Sequence, residues 1–124
     1  MRNLITAAAL LIASNAAAHE LTPTYPKFEM SYINNVYVTT LKMWNRREDV
    51  SYYQIGVFDE EWNPVPYAAS ERLIKMEYLG QKSFDIYIHK KDLTKVEFIC
   101  TTSKLLKQDV ESTGVTSRVC SRIK

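Results

Sequence analysis

From residue 27 onward, apolar side chains return at every second position, in short runs separated by Asn, Gly, Pro and clustered charges. A period of two is the signature of half-buried strands, whereas an apolar helix face repeats every three to four residues. Composition points the same way. Beyond residue 18, Val, Ile, Thr, Tyr, Phe and Trp supply 39 of 106 residues, and alanine survives only at Ala68 and Ala69. So strong a bias toward β-branched and aromatic side chains argues for an all-β domain. A chain of this length builds one core and gains from a covalent staple.

The alternation places the strands. A first strand is expected from Lys27 to Ile33, followed by a turn at Asn34-Asn35. A second runs from Val36 to Trp44, with Leu41 and Met43 inward and Asn45 ending it. Tyr53, Ile55 and Val57 define the inner face of a third. Pro64 and Pro66 forbid a central strand after Asp59-Glu60-Glu61, so that stretch reads as a turn or an edge. A fourth strand covers Leu73 to Tyr78, and in a fifth Phe84, Ile86 and Ile88 point inward. Val96, Phe98 and Cys100 are expected inside on a sixth, and Val115 to Ile123 forms the seventh. Between these last two, Ser103 to Gly114 is a long excursion with a helical turn near Leu105 and Leu106. Seven short strands in about a hundred residues specify an immunoglobulin-like β-sandwich spanning residues 19–124.

Residues 1–18 belong to a different class of segment. Arg2 is their only charge, an apolar run from Leu4 to Ala13 follows, and Ala16-Ala17-Ala18 closes the stretch. A basic start, a short apolar centre and small residues at the exit describe a secretory signal peptide cut near Ala18. The apolar run is about half of the roughly 20 residues that span a bilayer, so the product is expected not to be membrane-embedded. Export makes the location periplasmic or secreted, where Cys100 and Cys120 are expected to pair. Closing that loop stabilises a fold by roughly 3 kcal/mol in the chain-entropy model. One conflict arises. Cys120 shares its strand face with Arg118 and Arg122, which should not be buried, whereas Cys100 is expected inside. Either a bulge breaks the alternation near one cysteine or the disulfide sits at the sheet margin, and the margin is preferred.

Three stretches carry a resemblance to a known family. They are Leu41-Lys42-Met43-Trp44-Asn45, the Tyr-led strand Tyr53 to Phe58 reaching Asp59, and Leu79-Gly80-Gln81-Lys82-Ser83-Phe84-Asp85-Ile86. Over most of residues 25–101 the pattern resembles the N-terminal domain of periplasmic pilus-assembly chaperones. The resemblance implies a partner, a pilin-like subunit, captured by strand addition along the last strand. There Val115, Val119 and Ile123 would be the exposed apolar stripe. Lys27 stands closest to the family's arginine for the pilin carboxylate. That family's second, lysine anchor lies in an interdomain cleft, and no residue of this chain is assigned to it.

No constellation for catalysis emerges, and the chain is read as a non-enzyme without cofactor. His19 sits at the expected start of the mature chain, and His89, followed by Lys90 and Lys91, reads as a solvated strand end. Motifs such as G-x-S-x-G and H-E-x-x-H are missing, and glycines at 56, 80 and 114 build no phosphate loop. Asp59, Glu60 and Glu61 lack the spacing of a calcium loop. Fifteen basic and fourteen acidic residues beyond position 18 leave a net charge near +1, which gives no footprint for nucleic acid. The second class of function is a secreted surface-interaction protein that recognises a host protein or glycan through aromatics, with Tyr52, Phe58 and Trp62 as the patch. For the leader, the intact mass of the protein from a secreting host should correspond to a chain beginning at about His19. A mass that retains residues 1–18 would remove the basis of the export argument.

Overall fold

A computed structural model describes residues 19–104 and 116–123, so the leader, Val115 and most of the expected excursion lie outside the described residues. The described chain is an all-β sandwich of two antiparallel sheets. Its strands are β1 (His19–Thr22), β2 (Glu29–Met30), β3 (Val36–Asn45), β4 (Tyr52–Phe58), β5 (Leu73–Lys75), β6 (Gln81–His89), β7 (Phe98–Lys104) and β8 (Arg118–Arg122). In the first sheet β3 pairs with β6 along its length, from Val36 opposite His89 to Trp44 opposite Gln81. Its other edge is shared by β1 at one end and β2 at the other. The second sheet has the order β5-β4-β7-β8. Among the described residues eight strands stand where seven were expected, because β1 precedes the first expected strand.

The interior is built by alternation. Leu41 and Met43 of β3 and Phe84, Ile86 and Ile88 of β6 meet Tyr53, Ile55 and Val57 of β4, all buried in one cluster. These inward sets match the expected ones. Three other expectations need correction. The strand expected from Lys27 to Ile33 is reduced to Glu29–Met30 because Ser31 turns the chain. The Ser31 hydroxyl donates to the Val36 carbonyl oxygen and accepts from the Ile33 N–H, and Asn35 takes a left-handed φ of 64°. Met30, Tyr32 and Ile33 are accordingly exposed. The true first strand is His19–Thr22, whose sequence carries no alternation to read. Leu73 to Tyr78 shortens to Leu73–Lys75, ended by a turn with Leu79 at φ 64°.

The third correction concerns β7. Its inward residues are Ile99, Thr101 and Ser103, so Phe98 and Cys100 belong to the outer face by parity, although Cys100 is buried there as expected, with 1% of its surface exposed. Val96, buried just ahead, lies in the turn that closes a 3-10 helix over Lys90–Lys95 and is out of phase with the strand. Cys100 and Cys120 are directly opposite and joined by a disulfide. No bulge is needed: β8 is the edge strand of its sheet, so the disulfide lies at the margin as expected, and Arg118 and Arg122 reach water from the outward face they share with both cysteines.

Buried polar groups tie the two sheets together. Asn45, with no exposed surface, ends β3, and its side-chain amide donates to the carbonyl oxygens of Val50 (2.9 Å) and Glu77 (3.3 Å). Its Oδ1 accepts from the Arg47 N–H and from the Tyr53 hydroxyl. Its backbone bonds Leu79 and Gly80. Removing the amide strands several buried partners, each at about 1–3 kcal/mol. Asn45→Ala should therefore lose about 3 kcal/mol or more in urea unfolding, against about 1 kcal/mol for Tyr53→Phe, which deletes one hydrogen bond. Equal losses would reduce Asn45 to a single-bond role.

Candidate functional site

The inward sets of β4 and β7 fix what the outer face of the second sheet must carry. Tyr52, Gln54, Gly56 and Phe58 of β4 lie beside Phe98, Cys100, Thr102 and Lys104 of β7, and Arg118, Cys120 and Arg122 of β8 complete the face. Register sorts them into rows across the strands. Phe58, Phe98 and Arg122 form one, Gly56 and the two cysteines the next, and Gln54, Thr102 and Arg118 a third.

The connection after β4 lays an aromatic over this face. Asp59 organises it: its Oδ1 accepts from the N–H groups of Glu61 (2.9 Å) and Asn63 (2.8 Å). Those bonds, Asn63 first, hold its carboxyl below the ordinary range. Trp62 then adopts φ 66°, a left-handed conformation that a bulky side chain rarely takes. Its ring stacks on Phe98 with centroids 4.2 Å apart and planes within 4°, and lies 5.8 Å from Phe58. The Arg118 guanidinium sits 5.4 Å from the Trp62 ring and 5.7 Å from the Phe58 ring, within cation–π range. Trp62 nonetheless keeps 46% of its surface exposed.

Beside this cluster an open groove of about 510 Å³ runs along β4, between the strands and the segment from Pro64 to Tyr67. Gln54, Gly56 and Thr102 line it from the sheet, and Arg72, Lys104 and Arg118 supply its charge. A side chain at position 56 would put its Cβ 2.7 Å from the Phe58 ring, so glycine lets that ring lie across the strand. Arg72 donates to the Tyr67 carbonyl oxygen (2.9 Å) and stands 4.4 Å over the Tyr67 ring. The Tyr67 hydroxyl donates to Ile55, and burial pushes its pKa up. No carboxylate lines the groove, and among the described residues none of the three cations is ion-paired.

A second polar cluster lies inside. His19 is buried; its Nε2 meets the hydroxyl (2.8 Å) and carbonyl oxygen (3.1 Å) of Thr101, and its ring lies 4.5 Å from Tyr53. Ser117 stands 3.4 Å from Nδ1, and Arg47, paired with Asp49, approaches Ser117 at 3.5 Å. Burial drives the Tyr53 hydroxyl up to about 12. These contacts pin β1 to the opposite sheet.

The expected site residues are scattered. Trp62 is exposed and close to Phe58. Tyr52 shares their face but begins β4, opposite Lys75 and Lys104, about 20 Å from Phe58 along the strand. Lys27 is exposed between β1 and β2. Val119 and Ile123 are half-buried and packed on the core, which corrects the expectation of an exposed apolar stripe. Their parity with the buried Ser121 turns them inward. The β8 edge is also partly taken, since the Arg122 N–H donates to Thr24 and the Ser121 hydroxyl to Pro23. The His89 Nδ1 accepts from the Lys91 N–H and caps the 3-10 helix at the end of β6. Phe98, Arg72, Lys104 and Arg118 were not anticipated. The one sequence signal for them was Arg118 and Arg122 flanking Cys120.

No protein-family model matches the chain, and no curated protein matches it. Among solved structures it is similar to a FixG-related protein from Vibrio parahaemolyticus, at 16% identity and a TM-score of 0.48, over 86% of this chain and 95% of that one.

The buried histidine makes stability depend on pH. Burial pushes the His19 pKa below the ordinary 6.5 and the Arg47 charge adds to this, while the bond to Thr101 opposes it. The unfolded chain therefore takes up a proton near pH 6.5 that the folded chain refuses. Stability is complete above that pH and declines as pH falls through it. The melting temperature should drop between about pH 7 and pH 5 in the wild type and drop less in His19→Gln. Parallel profiles would assign the acid sensitivity to other groups.

Proposed function

We propose that this protein is an exported, non-enzymatic binding module whose capture surface is the outer face of the β5-β4-β7-β8 sheet. The observation that carries the reading is Trp62. A bulky side chain held in a left-handed backbone conformation, stacked on Phe98 and still half exposed, is costly to maintain on a surface that meets only water. Exposed aromatics beside arginine are the side chains that dominate binding energy at interfaces. The disulfide fits an oxidising compartment outside the cytoplasm, in keeping with the leader expected over residues 1–18.

Capture by strand addition, the mode implied by the resemblance to pilus chaperones, would need an open edge and outward apolar side chains on β8. The inward packing of Val119 and Ile123 favours the sheet face instead. Capture from cell-envelope extract by wild-type protein, Trp62→Ala and Lys27→Ala separates these readings. Trp62→Ala should lose the bound partner by about tenfold, the effect of one interface anchor, and Lys27→Ala should retain it. Loss with Lys27→Ala and retention with Trp62→Ala would move the function to the strand edge.

A further inference from the structure

We propose that the groove along β4 binds an acidic oligosaccharide, a short run of uronic-acid sugars whose carboxylates meet Arg72, Lys104 and Arg118. This rests on the outer face being the capture surface, and it names the ligand that face takes. Charge is the first argument. The three cations line one groove without a lining carboxylate, and the described residues offer them no ion pair. Two are held by ring faces, Arg72 over Tyr67 and Arg118 beside Phe58 and Trp62, which orients their guanidinium planes before a ligand arrives. A guanidinium so fixed suits bidentate pairing with a carboxylate.

Spacing is the second argument. Arg72 precedes β5, Lys104 ends β7 and Arg118 begins β8, so the backbones that carry the cations are spread over three interstrand steps, about 14 Å, and the Arg118 guanidinium reaches back to the Phe58 ring on β4. Three cations rooted on separate strands along one groove suit a ligand that carries several carboxylates along its length. The third argument is the floor. β4 is paired with β7 along its length, and on its other side with β5 up to Gln54, then with Arg72 through the Ile55 N–H and with Val65 through the Val57 carbonyl oxygen, so its edge is not open to an extended peptide. What the floor does present is the Gln54 amide and the Thr102 hydroxyl, which suit sugar hydroxyls. A groove of about 510 Å³ also has the volume of a small-ligand cleft and not the breadth of a protein interface.

Titration of the mature protein with an oligogalacturonate at low salt tests this. A neutral oligosaccharide of equal length, poly-glutamate and single-stranded DNA serve as comparisons. The oligogalacturonate should bind, about tenfold or more tighter than the neutral chain, and weaken with added salt. Arg118→Ala and Arg72→Ala should each weaken it by about tenfold while melting at the wild-type temperature, and Val38→Thr, on the opposite sheet, should not. Absence of binding, or binding unchanged in an Arg72, Lys104 and Arg118 triple alanine variant, overturns the proposal. Equal or tighter binding of poly-glutamate or DNA overturns it too, in favour of an acidic protein or nucleic-acid partner. Since capture from envelope extract reads the Trp62 face independently of any sugar, failure of the ligand class and failure of the surface are distinguishable.

Discussion

The side chain of Asn45 closes one end of the sandwich. Four elements converge on it: the end of β3 to which it belongs, the 46–50 connection through Val50 and Arg47, the turn before β6 through Glu77, Leu79 and Gly80, and β4 through Tyr53. An amide offers two donors and an acceptor with two lone pairs, and all are used here in a site closed to water. Tyr53 lies on the opposite sheet and its ring meets that of His19 at a tilt of 51°, and His19 in turn bonds Thr101. The two sheets are thus held by polar contacts at this end and by apolar packing elsewhere. No buried side-chain nitrogen or oxygen lacks a partner among the described residues. Such a network demands one register, because a shift of one residue would turn every member to the wrong face.

That dependence explains which parts of the fold could be read from the residues. Leu41 with Met43, Tyr53 with Ile55 and Val57, and Phe84 with Ile86 and Ile88 are apolar where they are buried, so their alternation declares the inner face. In β7 the inward set is Ile99, Thr101 and Ser103, two of them hydroxylic, and the outer set includes Phe98 and Cys100, the latter covered almost completely. Hydropathy therefore pointed to the wrong face. Thr101 and Ser103 can be inside because His19 and the Ser117 N–H satisfy them, partners 82 and 14 residues away in the chain. The arginines beside Cys120 were the better guide, since charge resists burial more strongly than a hydroxyl does. β1 was invisible for a related reason: its burial depends on a histidine, whose partner cannot be known from its neighbours.

The candidate site was legible only in part. Trp62 stands out in a turn-rich stretch, and its exposure follows from that setting. Its company does not. Phe98, Arg118, Lys104 and Arg72 reach it or its groove from three further stretches of chain, so their grouping is a property of register across β5, β4, β7 and β8. Gly56 shows the same coupling on a smaller scale. Its missing side chain matters only because Phe58, two residues on, folds its ring back over the strand.

The disulfide between facing positions of β7 and β8 does more than strengthen the pair. Antiparallel neighbours usually owe their alignment to a tight turn, whose length and glycines set the register. Here Cys100 opposite Cys120 supplies that alignment covalently, whatever the length of the connection between them. Lys104 and Arg118 both lie within the closed ring of chain. A single broken peptide bond anywhere from residue 101 to residue 119 leaves β8 tethered to β7. The connection is thereby relieved of the task of a hairpin turn, and its sequence can change without moving the rows of side chains on the sheet outside it.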